Sequence, residues 1–138
     1  MNNANSHDMS ELLHKAITDR ILGAFYQVNW ELGSGYLESV YANGMEIALR
    51  EDGLRVEREV PVSVHFRGRR VGTFRADMIV ESVVLLEFKA GDRLDPSAEP
   101  QLINYLRASR LQVGLILHFG PKASFKRRVV TNDRKIIP

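Results

Sequence analysis

Apolar positions change period twice along the chain, and the changes predict its elements. Leu13, Ile17, Ile21, Ala24 and Val28 recur every three or four residues, which predicts a helix over 9–28. Gly33-Ser34-Gly35 interrupts it, because glycine tolerates the backbone angles that stop a helix. Leu37, Val40, Tyr41 and Ala48, with Gly44 near the same face, predict a second helix over 36–51 that ends at Asp52-Gly53. A short strand over 54–59 follows. Val60, Val62, Val64 and Phe66 then alternate with Pro61, Ser63, His65 and Arg67, the period of a half-buried strand. Arg67-Gly68-Arg69 reads as a hairpin turn with a return strand over 71–80. Glu81-Ser82 turns the chain again into a strand over 83–90, apolar except at Glu87 and Lys89. After a polar loop, a helix over 101–109, with a start as early as Pro96, leads to strands over 112–119 and 124–131.

The crossover between strands 83–90 and 112–119 is long enough to hold the intervening helix, so these strands are expected to be parallel neighbours. The order describes a single α/β (α+β) domain, a mixed sheet covered by helices. Its expected extent is 9–132, between tails at 1–8 and 133–138.

Composition narrows the chemistry. Of 138 residues, 44% are hydrophobic and 26% charged, enough for a real core, and no cysteine is present, which excludes disulfides, thiolate nucleophiles and Cys-based metal sites. The polar first ten residues and the absence of any long apolar run make a cytoplasmic, non-membrane location the expectation. The net charge of +2 hides a polarity: residues 1–59 carry 5 basic and 10 acidic side chains (−5), residues 60–138 carry 14 and 7 (+7). The basic half could face a polyanion or pair with the acidic half. The four histidines lack metal-ligand spacing, and no phosphate-binding loop is present.

A central strand flanked by helices should be apolar on both faces, yet Glu87 and Lys89 share one side of strand 83–90. A local ion pair or a strand end in solvent would explain them. Asp77, on the preceding strand, weighs against both. If the two strands pair through Glu81-Ser82, Asp77 and Glu87 lie together, and two carboxylates about 4 Å apart repel by roughly 4 kcal/mol at an effective dielectric near 20. Such a pair calls for a hard divalent cation, and Lys89 could then hold a phosphate or act on a metal-bound water.

Asp77 followed by Glu87-Phe88-Lys89 resembles the D…(D/E)-x-K core of the PD-(D/E)XK nuclease superfamily. Gly35, Glu38 and Tyr41 further resemble the signature of the GxxExxY protein family within it. That resemblance runs through Phe74-Arg75-Ala76-Asp77, Leu86–Ala90, Gln101–Leu106 and Gly114–Gly120, over residues 11–131. It implies a restriction-endonuclease-like fold and a Mg²⁺-dependent nuclease, with Mn²⁺ as substitute. By the superfamily pattern, Asp77, Glu87 and the Phe88 carbonyl would ligate the metal, Glu38 would add a helix carboxylate, Lys89 would act at the attacking water and Gln101 would orient water or phosphate. The proline usual before the first acid is replaced by Ala76.

Other residues have two readings each. Tyr41 and Tyr105 share helix faces with Glu38 and Gln101, and could contact nucleic acid or fill the core. Glu38 could simply favour a helix start. Arg75 and Arg93 are the stronger candidates for phosphate contacts among the basic residues, whereas Lys122, Lys126, Arg127 and Arg128 could form a solvated surface. DNA is the expected partner and RNA the second. A two-fold homodimer and a protein partner stay open. The competing function is a catalytically silent nucleic-acid-binding or protein-interaction module on the same fold.

Overall fold

The computed structural model describes residues 12–138; the tail over 1–8 and the expected helix start at Met9 lie outside the described residues. Helices α1 (Lys15–Leu32) and α2 (Glu38–Glu51) precede strands β1 (Val56–Phe66), β2 (Arg69–Val80) and β3 (Val84–Ala90). Helix α3 (Ala98–Ala108) then leads to β4 (Val113–Phe119) and β5 (Ser124–Val129). The five strands form one mixed sheet in the order β1-β2-β3-β4-β5, antiparallel except for the parallel β3–β4 pair that α3 connects.

Each sheet face buries a helical layer. On one, Ile21 and Phe25 of α1 and Met45 and Leu49 of α2 pack with Met78, Val84, Leu86, Leu115 and Leu117. On the other, Leu102 and Leu106 of α3 pack with Ala76, Ile79, Leu85 and Ile116. The continuous apolar runs of β3 and β4 follow from this, since both faces are covered. Close approach of α3 depends on Gly114, where an added Cβ would lie 2.7 Å from Leu102 Cδ1. Among the described residues no helix is long and apolar enough to cross a membrane.

The elements match the expected order, with shifted bounds. The short strand over 54–59 and the strand after it are one element, β1. The hairpin turn is tighter than expected: Arg67 and Gly68 have φ of 51° and 74°, the sign a two-residue type I′ turn requires, so β2 begins at Arg69. Helix α2 starts at Glu38 and α3 at Ala98. After β5 the chain folds back: the Ile136 amide donates to Arg107 O, and Lys135 Nζ donates to the carbonyls of Leu106 and Leu111.

Strict alternation fails on β2. Simple alternation puts Phe74, Ala76 and Met78 on one face, but Phe74 and Ala76 pack with the α3 layer and Met78 with the α1–α2 layer. The same change occurs on β1. Val56 joins the α1–α2 core and Arg58 bonds Glu46 of α2, whereas Val60 packs towards α3. The inversion falls at Glu59, whose φ of 51° is left-handed, opposite Asp77; these two are not paired although their neighbours on both sides are. Such a backbone angle in a non-glycine residue disfavours itself by roughly 1–2 kcal/mol and marks a constrained site.

Candidate functional site

The strands β2 and β3 pair only over Met78–Leu86, Ile79–Leu85 and Val80–Val84, then separate. Asp77 and Glu87 stand at the parting point. There the ladder is replaced by side chains: the Asp77 amide donates to Glu87 Oε2 at 3.1 Å, and the Phe88 amide donates to Asp77 Oδ2 at 2.8 Å. Each carboxylate thus satisfies a backbone amide that strand separation would leave unpaired. Both are held rigidly by backbone.

Glu87 is 7% exposed. Burial, with the negative charge of Asp77 adding to it, pushes its carboxyl up to about 8, against the pull of Lys89 and the Asp77 amide. The hydroxyl pKa of Tyr105 on α3 is raised by its own burial and then by the charges of Glu87 and Asp77. The Tyr105 ring stacks on Phe74, with centroids 3.6 Å apart and planes 5° off parallel.

A cleft of about 180 Å³ opens beside the fork, lined by Glu38, Ser39, Ala42, Arg58, Glu59, Asp77 and Phe88. Glu38 begins α2 and points into this cleft from an exposed position, without an ion-pair partner among the described residues. Arg58 is already engaged by Glu46 and Asn43. Among the described residues no three His, Asp or Glu side chains converge closely enough to make a complete metal cage, so Glu38 shares the cleft without joining the Asp77–Glu87 pair. The donor set still fits one kind of ion. Mg²⁺ uses one or two carboxylates and keeps several waters, and a buried carboxyl held up by a neighbouring anion is what a hard cation would relieve.

The remaining expected residues are spread around this centre. Lys89, half-buried, follows Glu87 on the same side of β3. Gln101 is exposed near the start of α3 and makes no side-chain hydrogen bond among the described residues, and Arg93 is exposed in the loop after β3. Arg75 is exposed on β2, two residues before Asp77 and on the face opposite Phe74 and Ala76. Tyr41 is corrected: it is fully buried, stacked on Phe119, with its hydroxyl donating to Gly33 O at 2.6 Å and accepting from the Tyr36 amide at 3.3 Å. It pins the glycine loop from within and offers no surface to nucleic acid.

Two cleft residues and one residue beside Lys89 escape a reading by sequence. Arg58 and Glu59 reach the cleft because of the face inversion, which alternation cannot show. His118 pairs in register with Lys89 across β3–β4, buried, with Nδ1 3.4 Å from Ser124 Oγ and Nε2 without a partner among the described residues. Only its place at the end of an apolar strand hinted at this.

A family model described as the PD-(D/E)XK nuclease superfamily matches residues 15–129. Members of that superfamily typically use Mg²⁺. No curated protein matches the sequence. Among solved structures, the crystal structure of SSO0001 is similar at 20% identity and a TM-score of 0.48, over 66% of this chain and 48% of that one. The chain thus spans about half the length of that protein.

Proposed function

The chain belongs to the PD-(D/E)XK nuclease superfamily, and from that premise we propose that it is a Mg²⁺-dependent phosphodiesterase that hydrolyses DNA, structured or branched DNA among its candidate substrates. Within the superfamily we place it with the GxxExxY proteins, on Gly35, Glu38 and Tyr41. The observation that carries the reading is the reciprocal capping of Asp77 and Glu87 at the β2–β3 fork, with Lys89 next on the same side.

Asp77 and Glu87 would hold the cation, with the Phe88 carbonyl completing the protein's share. Bound there, a divalent ion supplies charge to polarise the scissile phosphate and lowers the pKa of an attacking water. The chain's own residues do the rest. The two backbone amides fix the carboxylate orientations before any ligand arrives, which keeps reorganisation small. Lys89 brings a positive charge beside the pair, suited to stabilising the extra negative charge on the phosphate or orienting the water. Glu38, across the cleft, orients water or a second cation, and Gln101 contacts water or phosphate from α3. Arg75 and Arg93 neutralise backbone phosphates on either side.

The reading is tested by cleavage of labelled linear, single-stranded, flapped and branched DNA, and of RNA, in Mg²⁺, Mn²⁺ and EDTA. Metal-dependent cutting of DNA by the wild type, lost in Asp77→Asn and Glu87→Gln, is the expected result. Binding without cutting on every substrate would replace the reading with a silent binding module.

A further inference from the structure

The β1–β2 hairpin continues past the sheet. Strand β3 meets β2 only from Met78 to Val80, whereas β1 follows β2 out to the Phe66–Arg69 pair. Residues 60–66 and 69–76 therefore form a two-stranded ribbon that no third strand flanks among the described residues. Its base is anchored, since Val60 and Phe74 pack on the α3 layer. Its tip is open: Phe66 and Val71 are 59% and 64% exposed, and Arg67, Arg69 and Arg70 are exposed beside them.

These tip arginines have no ion-pair partner among the described residues, whereas Arg20, Arg50, Arg55, Arg58 and Arg128 each hold a carboxylate. Among the described residues, the acidic half of the chain therefore does not neutralise this end of the basic half. Arg67 lies with its guanidinium carbon 4.8 Å from the centre of the Phe66 ring, a contact that leaves its charge free. Here arginines surround two apolar side chains, the composition that suits a phosphate backbone.

The ribbon also has a useful reach. Arg69 lies eight positions along β2 from Asp77, roughly 26 Å at about 3.3 Å per residue. That length corresponds to about 8 base pairs of duplex. We infer that the hairpin is a DNA-tracking arm, in which Arg67, Arg69 and Arg70 hold duplex phosphates about 8 base pairs from the bond positioned at Asp77 and Glu87. This rests on the phosphodiesterase reading and adds a duplex requirement to it.

The test measures affinity in EDTA over a salt series for duplexes of about 10 and about 24 base pairs, and for a single strand of the longer length. Cleavage in Mg²⁺ is run beside it. The proteins are wild type, the triple Arg67→Ala/Arg69→Ala/Arg70→Ala variant and the triple lysine counterpart, each checked for a wild-type unfolding midpoint. The wild type is expected to bind the longer duplex more tightly than the shorter. The alanine variant loses that advantage, and its slope of log affinity against log salt falls by about 2–3. The lysine variant recovers most of the slope. An unchanged slope and length advantage in the alanine variant, with cleavage intact, overturns the arm alone. A fallen slope with no cleavage by any protein keeps the arm and overturns the phosphodiesterase reading. Equal loss on the single strand, or no binding of DNA by the wild type, overturns the arm.

Discussion

Asp77 and Glu87 are tied to each other's strands: the Asp77 amide donates to Glu87 Oε2 at 3.1 Å, and Asp77 Oδ2 accepts from the Phe88 amide at 2.8 Å. Two strands that separate should strand their amides, and two adjacent carboxylates, one of them buried, should repel. The fork answers the first problem with the second, and the charge left over is the feature a cation would meet.

Glu87 makes stability depend on pH in the metal-free protein. Its folded carboxyl stands at about 8, above the ordinary value of 4.5. The folded state therefore binds the proton more tightly than the unfolded state does. Stability from this group is full below pH ~4.5 and is lost as pH rises through about 8. In EDTA, the free energy of unfolding from urea titrations should fall across that window, by roughly 2–4 kcal/mol in total. Glu87→Gln, which cannot ionise, should flatten this decline, and added Mg²⁺ should offset it in the wild type only.

Asp77 separates a structural role from a chemical one. Asp77→Ala removes the acceptor of the Phe88 amide and should destabilise by about 1–3 kcal/mol. Asp77→Asn keeps an acceptor oxygen and should unfold within about 1 kcal/mol of wild type. Both should lose Mg²⁺ binding by calorimetry. Loss of binding in the alanine variant alone would reduce Asp77 to a scaffold residue.

Tyr41 is a core residue, and its hydroxyl is used internally. Tyr41→Phe removes the bond to Gly33 O and should cost about 0.5–1.5 kcal/mol in urea unfolding. Affinity for DNA, measured by anisotropy, should stay within about twofold, a difference below 0.5 kcal/mol.

Gly114 sets the distance between α3 and the sheet. A Cβ there would lie 2.7 Å from Leu102 Cδ1 and 3.2 Å from Leu106 Cδ1, both on fully buried side chains. Gly114→Ala should therefore destabilise by about 1–3 kcal/mol, read as a lower thermal midpoint.

Most of the architecture was legible because each element carries its own period. Leu13 to Val28 repeat as a helix must, Val60 to Phe66 alternate as an edge strand must, and the spacing from Lys89 to Gly114 leaves room for a crossover helix. The pairing of Asp77 with Glu87 was legible for the same reason, through the short turn at Glu81-Ser82. What alternation could not show is where it breaks. Val56, Arg58 and Val60 look like one regular series, yet the left-handed turn of Glu59 divides them between two layers. That break brings Arg58 and Glu59 to the cleft. Tyr41 was ambiguous because a tyrosine on a helix face reads the same in a core or at a surface. Its burial depends on Phe119, a residue from the far end of the chain.

Lys89 tests the central claim most directly. Single-turnover cleavage by wild type and Lys89→Ala should be compared on the preferred DNA substrate in Mg²⁺, with unfolding and Mg²⁺ affinity measured on the same samples. The account predicts a rate reduced by about 10²–10³ in a variant that folds and binds Mg²⁺ as the wild type does. Equal cleavage by the two proteins would contradict it.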